Sequence, residues 1–297
     1  MRVNVAVRLM TTRFRSVSIL CFVLLVIFLS ACLCEAAEKK IVAAIQVKDT
    51  LTVPGQPAAI EAKLNTDGAS GNVGLIGEPL ELVVDGQVAA TATTGAEGRV
   101  SFTYSTKAVG VLPIQVRIGA SPRVLPAMGE ANLVVWERRN PILAIDMASL
   151  IDTAHVDAPI PGTGLQKNPE QKPMPDAAVE IGRLTQFYYK VIYVVPPTGA
   201  DAFQASTQAR AWLKTHQFPS GYVLVLPPGK EALGAKIDEL RASGWNAIKV
   251  GIGRTKVFAE AFLQRRIDAV IVPEPPKGEI PRKASVAKEW KEIRKKL

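Results

Sequence analysis

The hydrophobic period of this 297-residue chain changes once, at the polar hinge Glu137-Arg138-Arg139-Asn140-Pro141. Before the hinge, apolar residues alternate with polar ones in short runs such as AAIEAKL (58–64), PLELVVDG (79–86) and RVSFTYS (99–105). VLPIQVRI (111–118) and ANLVVWE (131–137) continue the series. Period-two runs broken by turn residues such as Asp85-Gly86 predict a β-sandwich. After the hinge the runs become uninterrupted and β-branched: ILAI (142–145), VIYVV (191–195), YVLVL (222–226), AIKVGI (247–252) and DAVIV (268–272). Helical segments separate them at 176–190, 201–216, 230–243 and 255–266, with Gly244 stopping the third. Strands apolar on both faces and joined by crossover helices require a parallel sheet covered on each side. The expected fold class is therefore a β-sandwich followed by a doubly wound α/β domain.

The N-terminus reads as an export signal. Arg2, Arg8, Arg13 and Arg15 precede the apolar run Val17–Leu29, which is short for a membrane span. Residues 277–297 hold eight Lys or Arg against three Glu, so the formal charge of +9 sits at the two ends and the body between is neutral. A neutral body argues against a nucleic-acid surface. Cysteines at 21, 32 and 34 leave neither domain a disulfide, so both must be held by apolar cores.

The expected organisation is a signal peptide over 1–31, a sandwich over 38–138, an α/β domain over 141–273, and a Pro-rich linker with a basic amphipathic tail helix over 274–297. In that tail, Val286, Trp290, Ile293 and Leu297 share one helical stripe. It packs back on its own domain or lies on anionic lipid. The segment 155–175, irregular and rich in Pro and Gly, is either a loop over the binding edge of the sheet or decoration.

The strand ILAI ends in Asp146, which puts a carboxylate at a strand tip, where open α/β sheets present reactive groups. Two positions on stands Ala148. Arg254, Thr255 and Lys256 open the last helix, whose free N–H groups and cations suit an anion. Gly251-Ile252-Gly253 is only a fragment of a dinucleotide fingerprint.

Five stretches carry three resemblances. Leu29-Ser30-Ala31-Cys32 resembles the lipobox of bacterial lipoproteins, which implies a lipid on Cys32 and a place in the cell envelope, on the outer membrane facing the periplasm or the surface. The alternatives are secretion with cleavage after Ala36 or Ala37, or an uncleaved anchor. TTGAEGRVSFTYSTKAVGVLPIQVRIG (93–119) resembles the invasin-type bacterial immunoglobulin-like (Ig-like) repeat, whose domains serve as spacers, adhesive tips or dimerisation units. ILAIDMASLI, the stretch from VIYVV to YVLVLPPG, and KIDELRASGWNAIKVGIGRTKVFAEAF resemble the haloacid-dehalogenase-like (HAD) phosphatases, nearest their lipin and phosphatidylinositol-transfer-protein-associated branch.

That last resemblance implies a nucleophilic Asp, a second Asp as acid/base, a Thr or Ser and a Lys for phosphate, and a late acid completing a Mg²⁺ site. Asp146 matches the nucleophile and Lys236 the phosphate lysine. Ala148, Val195 and Phe258 fall where the acid/base, the hydroxyl and the metal acid belong, with Glu260 the nearest carboxylate to the last and Asp152 a candidate substitute for the first. Losing an acid/base alone costs about two to four orders of magnitude in rate. The expectation is a degenerate domain that binds or scaffolds, with no cofactor, its partner being the membrane through Cys32 and a protein or phosphate-bearing ligand. The alternatives are a Mg²⁺-dependent phosphohydrolase acting on a phospholipid or other organic phosphate through Asp146, and an adhesion protein that works through its sandwich.

Overall fold

The computed structural model describes residues 40–66, 73–152, 171–197, 201–276 and 278–297. The N-terminal segment expected to be an export signal, Cys32 and most of the loop expected over 155–175 lie outside the described residues. From Ile41 on, the chain is one compact unit.

Eight strands build the sandwich: β1 (Ala43–Val47), β2 (Thr50–Thr52), β3 (Ala58–Thr66), β4 (Pro79–Val84), β5 (Gln87–Thr93), β6 (Arg99–Tyr104), β7 (Gly110–Ile118) and β8 (Met128–Val135). They form one sheet in the order β1-β3-β6 and a second in the order β2-β8-β7-β4-β5. Alternation does what the sequence pattern implies: in β3, Ala58, Ile60, Ala62 and Leu64 point into the core while Ala59 and Glu61 face solvent. Asp85 and Gly86 both take positive φ, 50° and 78°, and this two-residue turn matches the twist of the β4–β5 hairpin.

The second half carries a six-stranded, fully parallel sheet of β9 (Ile142–Asp146), β10 (Lys190–Val195), β11 (Tyr222–Val225), β12 (Ile248–Gly253), β13 (Asp268–Ile271) and β14 (Ser285–Val286). Its order is β11-β10-β9-β12-β13-β14. Four helices cover it: α1 (Ala177–Phe187), α2 (Ala202–Thr215), α3 (Lys230–Ala242) and α4 (Lys256–Leu263). One face buries Ala177 and Ile181 of α1 with Ala209 and Leu213 of α2. The other buries Leu233, Ile237 and Leu240 of α3 with Phe258 and Phe262 of α4. Gly244, at φ +93°, ends α3 as its sequence implies.

The tail departs from expectation. Residues 274–297 are not a linker followed by an amphipathic α-helix: Ser285–Val286 adds β14 to the sheet, and Trp290–Lys295 forms a 3₁₀ turn. Trp290 and Ile293 are buried against the sheet, whereas Leu297 is exposed and Val286 belongs to the strand. The apolar stripe is therefore real at two positions, but strand pairing takes up its N-terminal end.

The two halves share a core. Val134 of β8 and Trp136 just beyond it pack into the same apolar cluster as α3 and α4. At the seam, Asp49 from the β1–β2 turn is buried. Its Oδ1 pairs with Arg210 Nη1 of α2 at 2.7 Å and accepts the Asn132 N–H at 2.9 Å. Its Oδ2 accepts the Val223 N–H of edge strand β11 at 3.1 Å. Arg210 Nη2 donates to the carbonyls of Val47 and Glu130. Nearby, Lys63 of β3 pairs at 2.9 Å with Asp201, whose other oxygen caps α2 by accepting the Phe203 N–H at 2.9 Å. Lys48 Nζ lies 4.3 Å from the Phe203 ring centre, a cation–π distance.

Candidate functional site

The sheet order reads 3-2-1-4-5-6 along the chain, so the crossovers change direction between β9 and β12, and ligands of doubly wound sheets bind in the crevice outside the strand C-termini at that point. Asp146 ends β9 there and Arg254 follows β12 there. The sequence-based expectation for Asp146 rests on this placement.

Asp146 caps a 3₁₀ turn, Met147–Leu150, accepting the Ala148 N–H on Oδ1 at 3.1 Å. Burial pushes its carboxyl above the ordinary value. The N–H groups of Ala148 and Arg254 and the Arg254 charge pull it back only in part. The turn is held from below: Ser149 Oγ donates to the Asp146 carbonyl at 2.7 Å, and the buried Trp290 Nε1 donates to the Ser149 carbonyl at 3.1 Å.

Arg254 reaches back over the same edge, where its Nη2 donates to the Ile151 carbonyl at 2.7 Å. Thr255 is the N-cap of α4, its Oγ1 accepting the Phe258 N–H at 3.2 Å. Lys256 points along α4 toward Glu260, 3.9 Å away. Of the three residues expected to hold an anion, Arg254 faces Asp146, whereas Thr255 and Lys256 have roles within α4. Lys236 is in the middle of α3, paired with Glu239 at 2.6 Å and lining a small apolar cavity with Ala144, Ile192 and Val194. Its ammonium is engaged there and not at the Asp146 turn.

The remaining positions of the phosphatase pattern are apolar. Ala148 is exposed on the turn, Val195 is buried at the end of β10, and Phe258 is buried under α4. The GIG fragment has a packing explanation: a Cβ on Gly251 would sit 2.4 Å from the Phe262 ring, and one on Gly253 2.3 Å from Phe258. The glycines let α4 press its aromatics onto β12. A Mg²⁺ ion needs several oxygen ligands. Among the described residues no group of three or more His, Cys, Asp or Glu side chains converges.

Sequence reasoning did not single out Asp49 and Arg210. Their partners lie far along the chain, and no local pattern marks them. Trp290 did carry a signal, as part of the tail stripe, but not its hydrogen bond to the turn below Asp146.

No family model matches this chain, and no curated protein sequence matches it. Solved structures overlap it in part. D,D-heptose 1.7-bisphosphate phosphatase from B. bronchiseptica, complexed with magnesium and phosphate, is 15% identical over 52% of this chain and 96% of that one, at a TM-score of 0.39. The D00-D0 domain of Intimin is 13% identical over 30% of this chain and 45% of that one, at 0.22. Fibronectin(III)-like modules of Clostridium thermocellum CbhA are 14% identical over 32% and 99%, at 0.20. At these identities and TM-scores they assign neither part to a family.

Proposed function

We propose that this protein is exported and held at the cell envelope through a lipid on Cys32, and that its second half is a HAD-like phosphatase domain retired from catalysis. In this reading it binds or scaffolds a protein or a phosphate-bearing ligand, and its Ig-like sandwich fixes the orientation of the α/β half. The observation that carries the reading is the state of Asp146. Its carboxylate takes N–H groups of its own chain and faces the Arg254 charge, with Ala148 where an acid/base would stand. Such a carboxylate joins the ends of β9 and β12, and Ala148 cannot move a proton to a leaving group.

The test is hydrolysis of a generic phosphate ester by residues 38–297, with and without Mg²⁺, beside Asp146→Asn. Rates equal to the blank support the reading. Mg²⁺-dependent turnover that vanishes in the variant establishes the phosphohydrolase instead. For the anchor, labelled palmitate is expected to enter the full chain and not Cys32→Ser; incorporation in neither removes the claim.

A further inference from the structure

The apolar tail stripe finds its use at the strand tip. β14 pairs parallel to β13, and the Ala287 N–H donates to the Ile271 carbonyl at 3.0 Å, which fixes the start of the tail at the sheet edge. From there the chain passes beneath the 3₁₀ turn that follows β9. Ala287, Trp290 and Ile293 are fully buried. Two ion pairs bind the tail to α1: Arg294 Nε to the buried Glu180 at 2.7 Å, and Lys291 to Asp176 at 3.3 Å. Glu180 also accepts from Arg183, one helical turn on. These contacts lead the Trp290 indole to its one polar task, donating to the main-chain carbonyl of Ser149, the residue whose hydroxyl donates to the Asp146 carbonyl.

We infer that Ser285–Lys295 is a positioning strap for the candidate site, and that Trp290 sets the Asp146 turn through Ser149. The strap holds the main chain of the turn, so it decides where the Asp146 carboxylate sits relative to the Ala148 N–H and Arg254. Trp290 touches no ligand position. It is a positioning residue, and Ser149 is the link between it and the carboxylate. The inference rests on the Asp146 turn being the site, and is independent of whether that site hydrolyses anything.

The experiment follows the Asp146 carboxyl carbon by NMR against pH in residues 38–297 carrying ¹³C-labelled aspartate, the signal being assigned by its loss in Asp146→Asn. Trp290→Phe keeps an aromatic ring and removes the donor. Ser149→Ala removes the hydroxyl bond to the Asp146 carbonyl and leaves both the tail and the main-chain carbonyl that Trp290 donates to. The charged group acting on the carboxylate, Arg254 from the β12–α4 junction, is untouched by either change. A loosened turn admits water, so the raised midpoint is expected to move down toward the ordinary value of 3.8, by about half a pH unit, in both variants. A merely structural Trp290 would lower the melting temperature and leave that midpoint in place. An unshifted midpoint in folded Ser149→Ala overturns the proposal, even if Trp290→Phe does not fold. A negative phosphatase assay leaves this result unaffected, so the two readings fail separately.

Discussion

Two aspartates, one at the domain seam and one at the strand tip, have been given opposite company by the same fold. Asp49 is fully withdrawn from solvent, and its two oxygens collect an arginine and two backbone N–H groups from β8, α2 and β11. Asp146, in the crevice where doubly wound sheets bind ligands, has its nearest donors on its own turn and at the start of the neighbouring loop. The polar architecture of this molecule is concentrated on joining its halves. A sandwich joined this way is a fixed part of the α/β unit, and at the strand tip Asp146 is held by its own turn and by Arg254.

The comparison can be broken at the seam first. Asp49→Ala leaves Arg210 buried without its counter-ion and the Val223 N–H without an acceptor; breaking a buried pair from one side costs about 3–5 kcal/mol. Urea unfolding is expected to show that loss. A cost below that of Asp146→Ala would reverse the ranking of the two sites. Asp146→Ala removes a cap, worth about 1–2 kcal/mol by the same measurement.

Acid separates Asp201 from Asp146 by sign, whereas burial raises Asp49 as it raises Asp146. Asp201 of the seam is partly buried, which raises its carboxyl, but its hydrogen bonds to Lys63 and Phe203 prevail and hold it below its ordinary value of 3.8. Its contribution is complete above that value and disappears as the pH falls through the lower, folded-state value. Partial exposure limits it to about 1 kcal/mol, read as the wild-type minus Lys63→Ala difference across acid titration. Asp146 runs the other way: its folded value is raised, so ionisation costs stability as the pH rises from 3.8 through it. The wild-type advantage over Asp146→Asn should therefore shrink in that window. Growth of the advantage would mean that partners, not burial, dominate at the tip. The smallest effect is expected at Lys236, where Gln loses only a surface pair worth below about 0.5 kcal/mol. A larger loss on thermal melting would give Lys236 a role beyond its helix.

Legibility follows the range of the interactions. β9, β10 and β12 were plain in the sequence because a strand buried on both faces must be apolar throughout, and ILAI or VIYVV cannot serve another purpose in a soluble core. β14 was hidden: two residues in a basic stretch carry no period, and their pairing depends on Trp290 and Ile293 finding the sheet. Asp49 in QVKDTLTV looks like any turn acid, and partners 83, 161 and 174 positions away decide its role. At the tip, Asp146 and Arg254 were legible because the ends of parallel strands are readable. Lys236 matches the phosphatase pattern by position, and in the fold its ammonium pairs with its i+3 neighbour Glu239. Gly251 and Gly253 are only a fragment of a dinucleotide fingerprint in sequence, and the bulk of Phe258 and Phe262 accounts for them.

The central claim is that Asp146 joins two strand ends and does not attack phosphorus. Incubating residues 38–297 with a ³²P-labelled phosphate ester and Mg²⁺, followed by acid quench and hydroxylamine treatment, asks this of the carboxylate directly. The account predicts no hydroxylamine-labile label on the protein. A label that forms with wild type and is absent in Asp146→Asn would identify a phosphoryl-aspartate and contradict it.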